Sequence, residues 1–326
     1  MKNLRKLSIL LLVVTLFWSC SNDDDNNVAV NTPVALNIVQ TAQATGDLSS
    51  LVAAVIEADL ATTLSGPGPF TVLAPTNAAF AEFLSANGWA NVTEIPDAAL
   101  TQVLLNHVIS GTVDAATLTG LGAGYSNTLA DGAGGNKMSI YFDTSSGVKF
   151  NGLASVSTAD VSASNGIVHI VDKVITLPTL ATFATTNPAL ADLVTALGSA
   201  DSQMPSPMLV ATLADATAGP LTVFTPTNAA FDALLLELDP TGGTGLGDIA
   251  PATVEAVLNI HIVGGNITSN DLTTGPVTTL GGTINVDTSN FTITDPLSRV
   301  TNIVTTLINI QAVNGVAHVV DKVIRP

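Results

Sequence analysis

Apolar residues recur at helical spacing in two separate stretches of the chain. Leu48, Leu51, Val52, Val55 and Ile56 form one stripe, and Leu190, Leu193, Val194 and Leu197 form another. Such stripes predict an amphipathic helix at the opening of each half. A short strand is expected after each helix, at Phe70 to Leu73 and at Leu221 to Thr225. Both strands lead into Pro-Thr-Asn, where Thr76 and Thr227 are placed to cap a new helix. Phe80 and Phe83, or Phe231, Leu234 and Leu235, then mark its inner face. A further helix is expected at about Asp97 to Asn106 and at about Ala252 to Ile260. Beyond it, Gly- and Thr-rich loops and period-two segments end in an Asn-Gly turn and a last strand. On that strand His169 alternates with Ile167 and Val171, and His318 with Val316 and Val320, so both rings face apolar neighbours.

The two halves are copies. Gly68-Pro-Phe-Thr-Val-Leu-Ala-Pro-Thr-Asn-Ala-Ala-Phe80 matches Gly219-Pro-Leu-Thr-Val-Phe-Thr-Pro-Thr-Asn-Ala-Ala-Phe231. His107 matches His261, and Asn165-Gly-Ile-Val-His-Ile-Val-Asp-Lys-Val-Ile175 matches Asn314-Gly-Val-Ala-His-Val-Val-Asp-Lys-Val-Ile324. The three pairs stand 151, 154 and 149 positions apart, which is a tandem domain duplication and far too long a period for a solenoid. The expected domains are residues 35–178 and 179–326. Leu177-Pro178-Thr179 leaves so short a junction that the copies are expected to pack at a restrained angle.

The amino terminus has a different pattern. Lys2, Arg5 and Lys6 precede an apolar run from Leu7 to Trp18, which stops at Ser19-Cys20 and is too short to span a bilayer. Residues 1–19 therefore read as a secretory signal peptide. Cys20 is the only cysteine, cannot form an internal disulfide, and is the expected site of lipid attachment. The segment resembles a bacterial lipobox, with Phe17 and Trp18 departing from the usual pattern. Residues 20–34, with the polar run Ser21-Asn22-Asp23-Asp24-Asp25-Asn26-Asn27, read as a solvated acidic tether. The expected location is the outer membrane, facing the cell exterior, with a periplasmic orientation as the alternative.

Charge excludes one large class. The chain carries −17, and three of its nine basic residues lie in the signal segment, leaving six scattered cations against 26 acids. A polyanion needs a basic footprint, so nucleic acid is not an expected partner. With 47% hydrophobic and 11% charged residues, the composition is that of a globular protein.

Taken together, Thr-Val-x-x-Pro-Thr-Asn-x-Ala-Phe, a histidine further on, and a closing Asn-Gly-x-x-His-x-x-Asp strand resemble the fasciclin (FAS1) family, twice over from about residue 35 to the carboxyl end. The resemblance implies an α+β fold of two tandem domains, each a wedge-shaped β-sandwich with flanking α-helices, in an extracellular adhesion or ligand-binding protein. It places His107 and His261 on the histidine of the family's Tyr-His motif, with Asn106 and Ile260 in place of the tyrosine. It also places Asp160 at the acid before the last hairpin, where the second copy has Asn309, so that a role needing charge would survive only in the first copy.

His107, His169, His261 and His318 are the only histidines and the obvious candidates for chemistry or binding. Duplication alone explains their matching, and the structural reading is a buried, hydrogen-bonded ring. Asp172 and Asp321 follow the strand histidines on the opposite face by parity, which argues against a same-face dyad. The chain has no Gly-x-Ser-x-Gly elbow, no His-x-x-x-His and no paired cysteines. Gly245-Leu-Gly247 mimics part of a dinucleotide fingerprint but follows a helix, not a strand. Asn77 and Asn228 read as turn-holding residues. The segments from Gly124 to Gly135 and from Gly242 to Gly247 read as loops. No catalytic residue, metal or cofactor is expected. The leading reading is a non-enzymatic surface lipoprotein, tethered to the membrane through Cys20, that binds an extracellular polysaccharide or protein. The alternatives are an envelope hydrolase or metal-dependent protein using the paired histidines, and a structural spacer.

Overall fold

The computed structural model describes residues 35–326; the expected signal segment, Cys20 and the acidic tether lie outside the described residues. The first repeat has helices α1 (Ile38–Ala44), α2 (Ser49–Glu57), α3 (Ala61–Ser65), α4 (Asn77–Ala86), α5 (Asp97–Asn106) and α6 (Ala115–Leu121). Its strands are β1 (Phe70–Pro75), β2 (Val108–Ser110), β3 (Ala123–Asp131), β4 (Lys137–Asp143), β5 (Lys149–Phe150), β6 (Ala154–Ala163) and β7 (Gly166–Val171). The second repeat has helices α7 (Leu180–Thr186), α8 (Ala191–Asp201), α9 (Leu209–Ala214), α10 (Asn228–Leu238) and α11 (Pro251–Asn259). Its strands are β8 (Leu221–Pro226), β9 (Ile262–Gly264), β10 (Gly275–Thr279), β11 (Gly282–Asp287), β12 (Thr292–Thr294), β13 (Val300–Asn302), β14 (Ile310–Ala312) and β15 (Gly315–Val320).

These two segments become the central strands β1 and β8, buried on both faces after their first residue, threonines included. β1 lies between antiparallel β2 and parallel β7, and β8 between antiparallel β9 and parallel β15. Alternation then divides each strand between two layers. Val72 and Ala74 pack under the helices, whereas Leu73 joins Ile140, Phe142 and Phe150 inside the strands. In the second repeat Val223 faces the helices and Phe224 faces Ile284, Ile293 and Val320. The first repeat's seven strands run in order around a closed barrel. Those of the second divide into two four-stranded sheets, β10 to β13 and β14-β15-β8-β9, which enclose that second core. Mixed helix and strand, with a helical flank on a strand layer in each repeat, is the α+β tandem architecture expected.

Several local expectations change. The helices bearing the Leu48 and Leu190 stripes are preceded by α1 and α7, whose capping boxes at Asn37 and Thr179 satisfy their first N–H groups. Ile56 is 59% exposed, because α2 buries a narrow stripe of Leu51, Ala54 and Val55. Gly124 to Asp131 is not a loop; it belongs to β3, paired antiparallel with β4. Gly242 to Gly247 is a loop apart from a short 3-10 turn at Leu246–Asp248.

The repeats interlock across the short junction. Tyr141 of β4 is buried in the second repeat's helix-side core, and Tyr125 stands 5.2 Å from it and 5.5 Å from Phe183 of α7. The Tyr125–Phe183 pair is edge-to-face, an arrangement that suits aromatic quadrupoles. Asn187 donates to the Tyr125 hydroxyl at 3.0 Å, and the buried Gln311 backbone N–H donates to Ser139 Oγ at 3.0 Å.

Candidate functional site

His107 and His261 sit at the C-termini of α5 and α11, where helix carbonyls lack intrahelical partners. Each ring turns back on its own helix. Nδ1–H donates to Val103 O in one repeat and to Val257 O in the other, both at 2.7 Å. Nε2 accepts the backbone N–H of Ile175 at 2.9 Å or of Ile324 at 3.0 Å, beyond the final strand. Because a main-chain donor faces Nε2, only the neutral Nδ1–H tautomer fits. Burial drives the pKa of both rings down to about 4, partly opposed by the carbonyl that accepts from Nδ1.

The strand histidines use the opposite tautomer. Nε2–H of His169 donates to Val113 O, and that of His318 to Ile267 O, both at 2.9 Å. Their Nδ1 atoms accept backbone N–H groups from Asp160 at 3.2 Å and Asn309 at 3.3 Å. Both residues are fully buried, and burial also lowers the pKa of His318, against the pull of Ile267 O. A neutral imidazole has one donor and one acceptor, and in all four rings both are taken by main chain. Among the described residues no hydrogen bond joins His107 to His169 or His261 to His318, and no group of three or more His, Cys, Asp or Glu is placed to hold a metal.

Asp160 and Asn309 explain each other. Both are left-handed, at φ 58° and 57°, a conformation that Asp and Asn tolerate better than most residues. Asp160 Oδ1 accepts the Ala115 N–H at the start of α6 at 3.0 Å, and Asn309 Oδ1 accepts the Ser269 N–H at 2.7 Å. The shared task is an acceptor oxygen on a left-handed residue, which needs no charge. The Asp160 carboxylate stands 3.8 Å from His169 Nδ1, beyond hydrogen-bond range.

The remaining singled-out residues also bond to main chain. Asp172 and Asp321 accept the N–H of Ser155 and Asn302 at 2.7 and 2.8 Å. Asn77 bridges Ser50 N–H and Gly46 O, and Asn228 bridges Asp192 N–H and Pro188 O. Thr76 and Thr227 cap α4 and α10 through Ala79 N–H and Ala230 N–H. Asn106 and Ile260, at the family's tyrosine position, are both fully buried. Sequence reading missed the reach of Asn165 and Asn314. Their Oδ1 atoms accept from α1 at Ile38 or α7 at Leu180, and their Nδ2 groups donate to Leu64 and Gly66 or to Leu213 and Asp215. The signal was present in the repeated Asn-Gly, which looked like a turn alone.

The fold is that of a FAS1 domain pair. The solved pair from the insect cell adhesion molecule fasciclin I matches it with a TM-score of 0.50 over 85% of this chain and 96% of that one, at 18% identity. The fasciclin domain profile matches residues 46–178 and 200–326, and the chain belongs to that family. It is 39% identical over 148 residues to protein sll1483 of Synechocystis sp., a match covering 45% of this chain and 77% of that protein. A second Synechocystis protein, sll1735, is 37% identical over 139 residues, 43% of this chain and 96% of its own length. Human periostin is 27% identical over 259 residues, 78% of this chain and 27% of periostin.

Proposed function

We propose that this protein is a non-enzymatic adhesion or ligand-binding lipoprotein, whose FAS1 pair engages an extracellular polysaccharide or matrix protein. The signal segment of residues 1–19 directs export, Cys20 carries lipid, and the tether of residues 20–34 holds the domains 35–178 and 179–326 away from the outer membrane, facing outward. The observation that carries this reading is the use of the histidines: every ring nitrogen is bonded to main chain, so the side chains best suited to general-base or metal chemistry serve the fold. Similarity to a domain pair from a cell adhesion molecule supports it. The interlocked repeats support it too, since a preset pair of surfaces loses little entropy on engaging a partner.

Purified protein on glycan and matrix-protein arrays is expected to give saturable binding, and deletion of the gene to reduce surface attachment. Unchanged attachment together with silent arrays would contradict the proposal. Cys20→Ala is expected to release the protein from the membrane fraction; retention there would refute the anchor.

A further inference from the structure

On the helical side, the repeats differ in what fills one apolar groove. In the first repeat Trp89 folds from the loop after α4 onto Phe83, with ring centroids 5.7 Å apart and planes inclined by 61°. It packs on the helix-side core together with Val92 and Val103. Counting back from the paired histidines, Val92 and Val103 correspond to Leu246 and Val257; counting on from Pro-Thr-Asn, Phe83 corresponds to Leu234. The equivalent loop of the second repeat, Asp239 to Gly245, contains no aromatic residue. Leu234, Leu246 and Val257, the counterparts of Phe83, Val92 and Val103, instead wall a cavity of about 270 Å³ together with Phe231 and Ile249.

We propose that this groove of the second repeat binds a small, flat aromatic molecule of indole size, in the place that Trp89 occupies in the first. The volume lies just below the usual range of small-molecule pockets, which begins at ~300 Å³. The lining is apolar, and Arg325 is its only charged side chain. Arg325 donates through Nη1 to Glu237 at 2.9 Å, which leaves further guanidinium N–H groups and the guanidinium plane for the ligand. A guanidinium both stacks on aromatic rings and bonds carboxylates, so an aromatic acid suits the groove better than an aromatic amine. Access is open along α11, where Thr253 and Ala256 are exposed. The site stands apart from the adhesion proposal, and neither depends on the other.

Titration calorimetry of the purified protein with naphthoate at neutral pH tests it. A single saturable site is expected. Leu246→Trp in the wall and Ala256→Trp at the exposed rim each put an indole into the groove and are expected to weaken binding about tenfold or more. Ala256→Trp changes an exposed helical position, so an unchanged melting temperature there separates loss of the site from loss of the fold. Octanoate, which keeps the carboxylate without the ring, is expected to bind at least about tenfold more weakly. Absence of saturable binding, binding unaffected by both substitutions, or tighter binding of octanoate overturns the proposal.

Discussion

In the first repeat the left-handed residue nine positions before the strand histidine is an aspartate and the loop after α4 carries a tryptophan; in the second, an asparagine and a glycine-rich loop stand in their places. Yet both repeats make the same histidine bonds, to the same main-chain positions, within 0.1 Å of each other. The difference separates two kinds of residue. Those that satisfy buried backbone groups have no substitute of the same shape and appear twice. Those that offer only an acceptor oxygen or apolar bulk are free to change, because Asn supplies the oxygen and a ligand can supply the bulk.

Four sets of substitutions probe this difference. The largest effect is expected at Gly166→Ala and Gly315→Ala. A Cβ there would lie 1.9 Å from Phe70 O or 2.0 Å from Leu221 O, at φ of +154° or +153°. The clash is with the main chain of the central parallel pair, so a cost of about 4 kcal/mol or more is expected in either repeat, read from urea unfolding. A large cost in one repeat and none in the other would show that the repeats are not built alike at their centres.

His107→Ala and His261→Ala come next, at about 3 kcal/mol each, since each leaves a cavity and orphans the N–H of Ile175 or Ile324. The same rings set the acid response. Their folded pKa of about 4 lies below the ordinary 6.5, so the unfolded chain takes up protons first as pH falls. Their stabilisation is complete above pH 6.5 and is lost between there and about 4, by roughly 3 kcal/mol per ring. Unfolding of the native protein at neutral pH and near the lower limit should show this loss, and the double His→Ala protein should show less of it. Trp89→Ala should cost about 2 kcal/mol, having no counterpart in the second repeat. The smallest effects fall at the aspartate. Asp160→Ala is expected to cost ~1–2 kcal/mol, whereas Asp160→Asn and Asn309→Asp should stay within ~0.5 kcal/mol. If Asp160→Asn matched the alanine change, the charge would matter after all.

Much of this was legible in the residues. Duplication marked the paired histidines, strand parity turned His169 and His318 inward, and the helix expected at about Asp97 to Asn106 is α5. What escaped was long-range. The bonds of Asn165 to α1, Leu64 and Gly66 cross about a hundred positions of sequence or more, and no local pattern encodes them. The segment after Gly124 looked like a loop because Gly, Ser and Asn disfavour strands, and pairing with the apolar β4 overrode that preference. Ile56 looked buried because helical spacing fixes which residues share a face, not how wide a stripe the core covers.

Nitrogen-detected NMR of the histidine rings at neutral pH, with and without zinc, reads directly whether the four rings serve the fold. Four neutral rings are expected, Nδ1–H in His107 and His261 and Nε2–H in His169 and His318, all unmoved by the metal. A protonated ring, the reverse tautomers, or ring nitrogens shifted by zinc would contradict this.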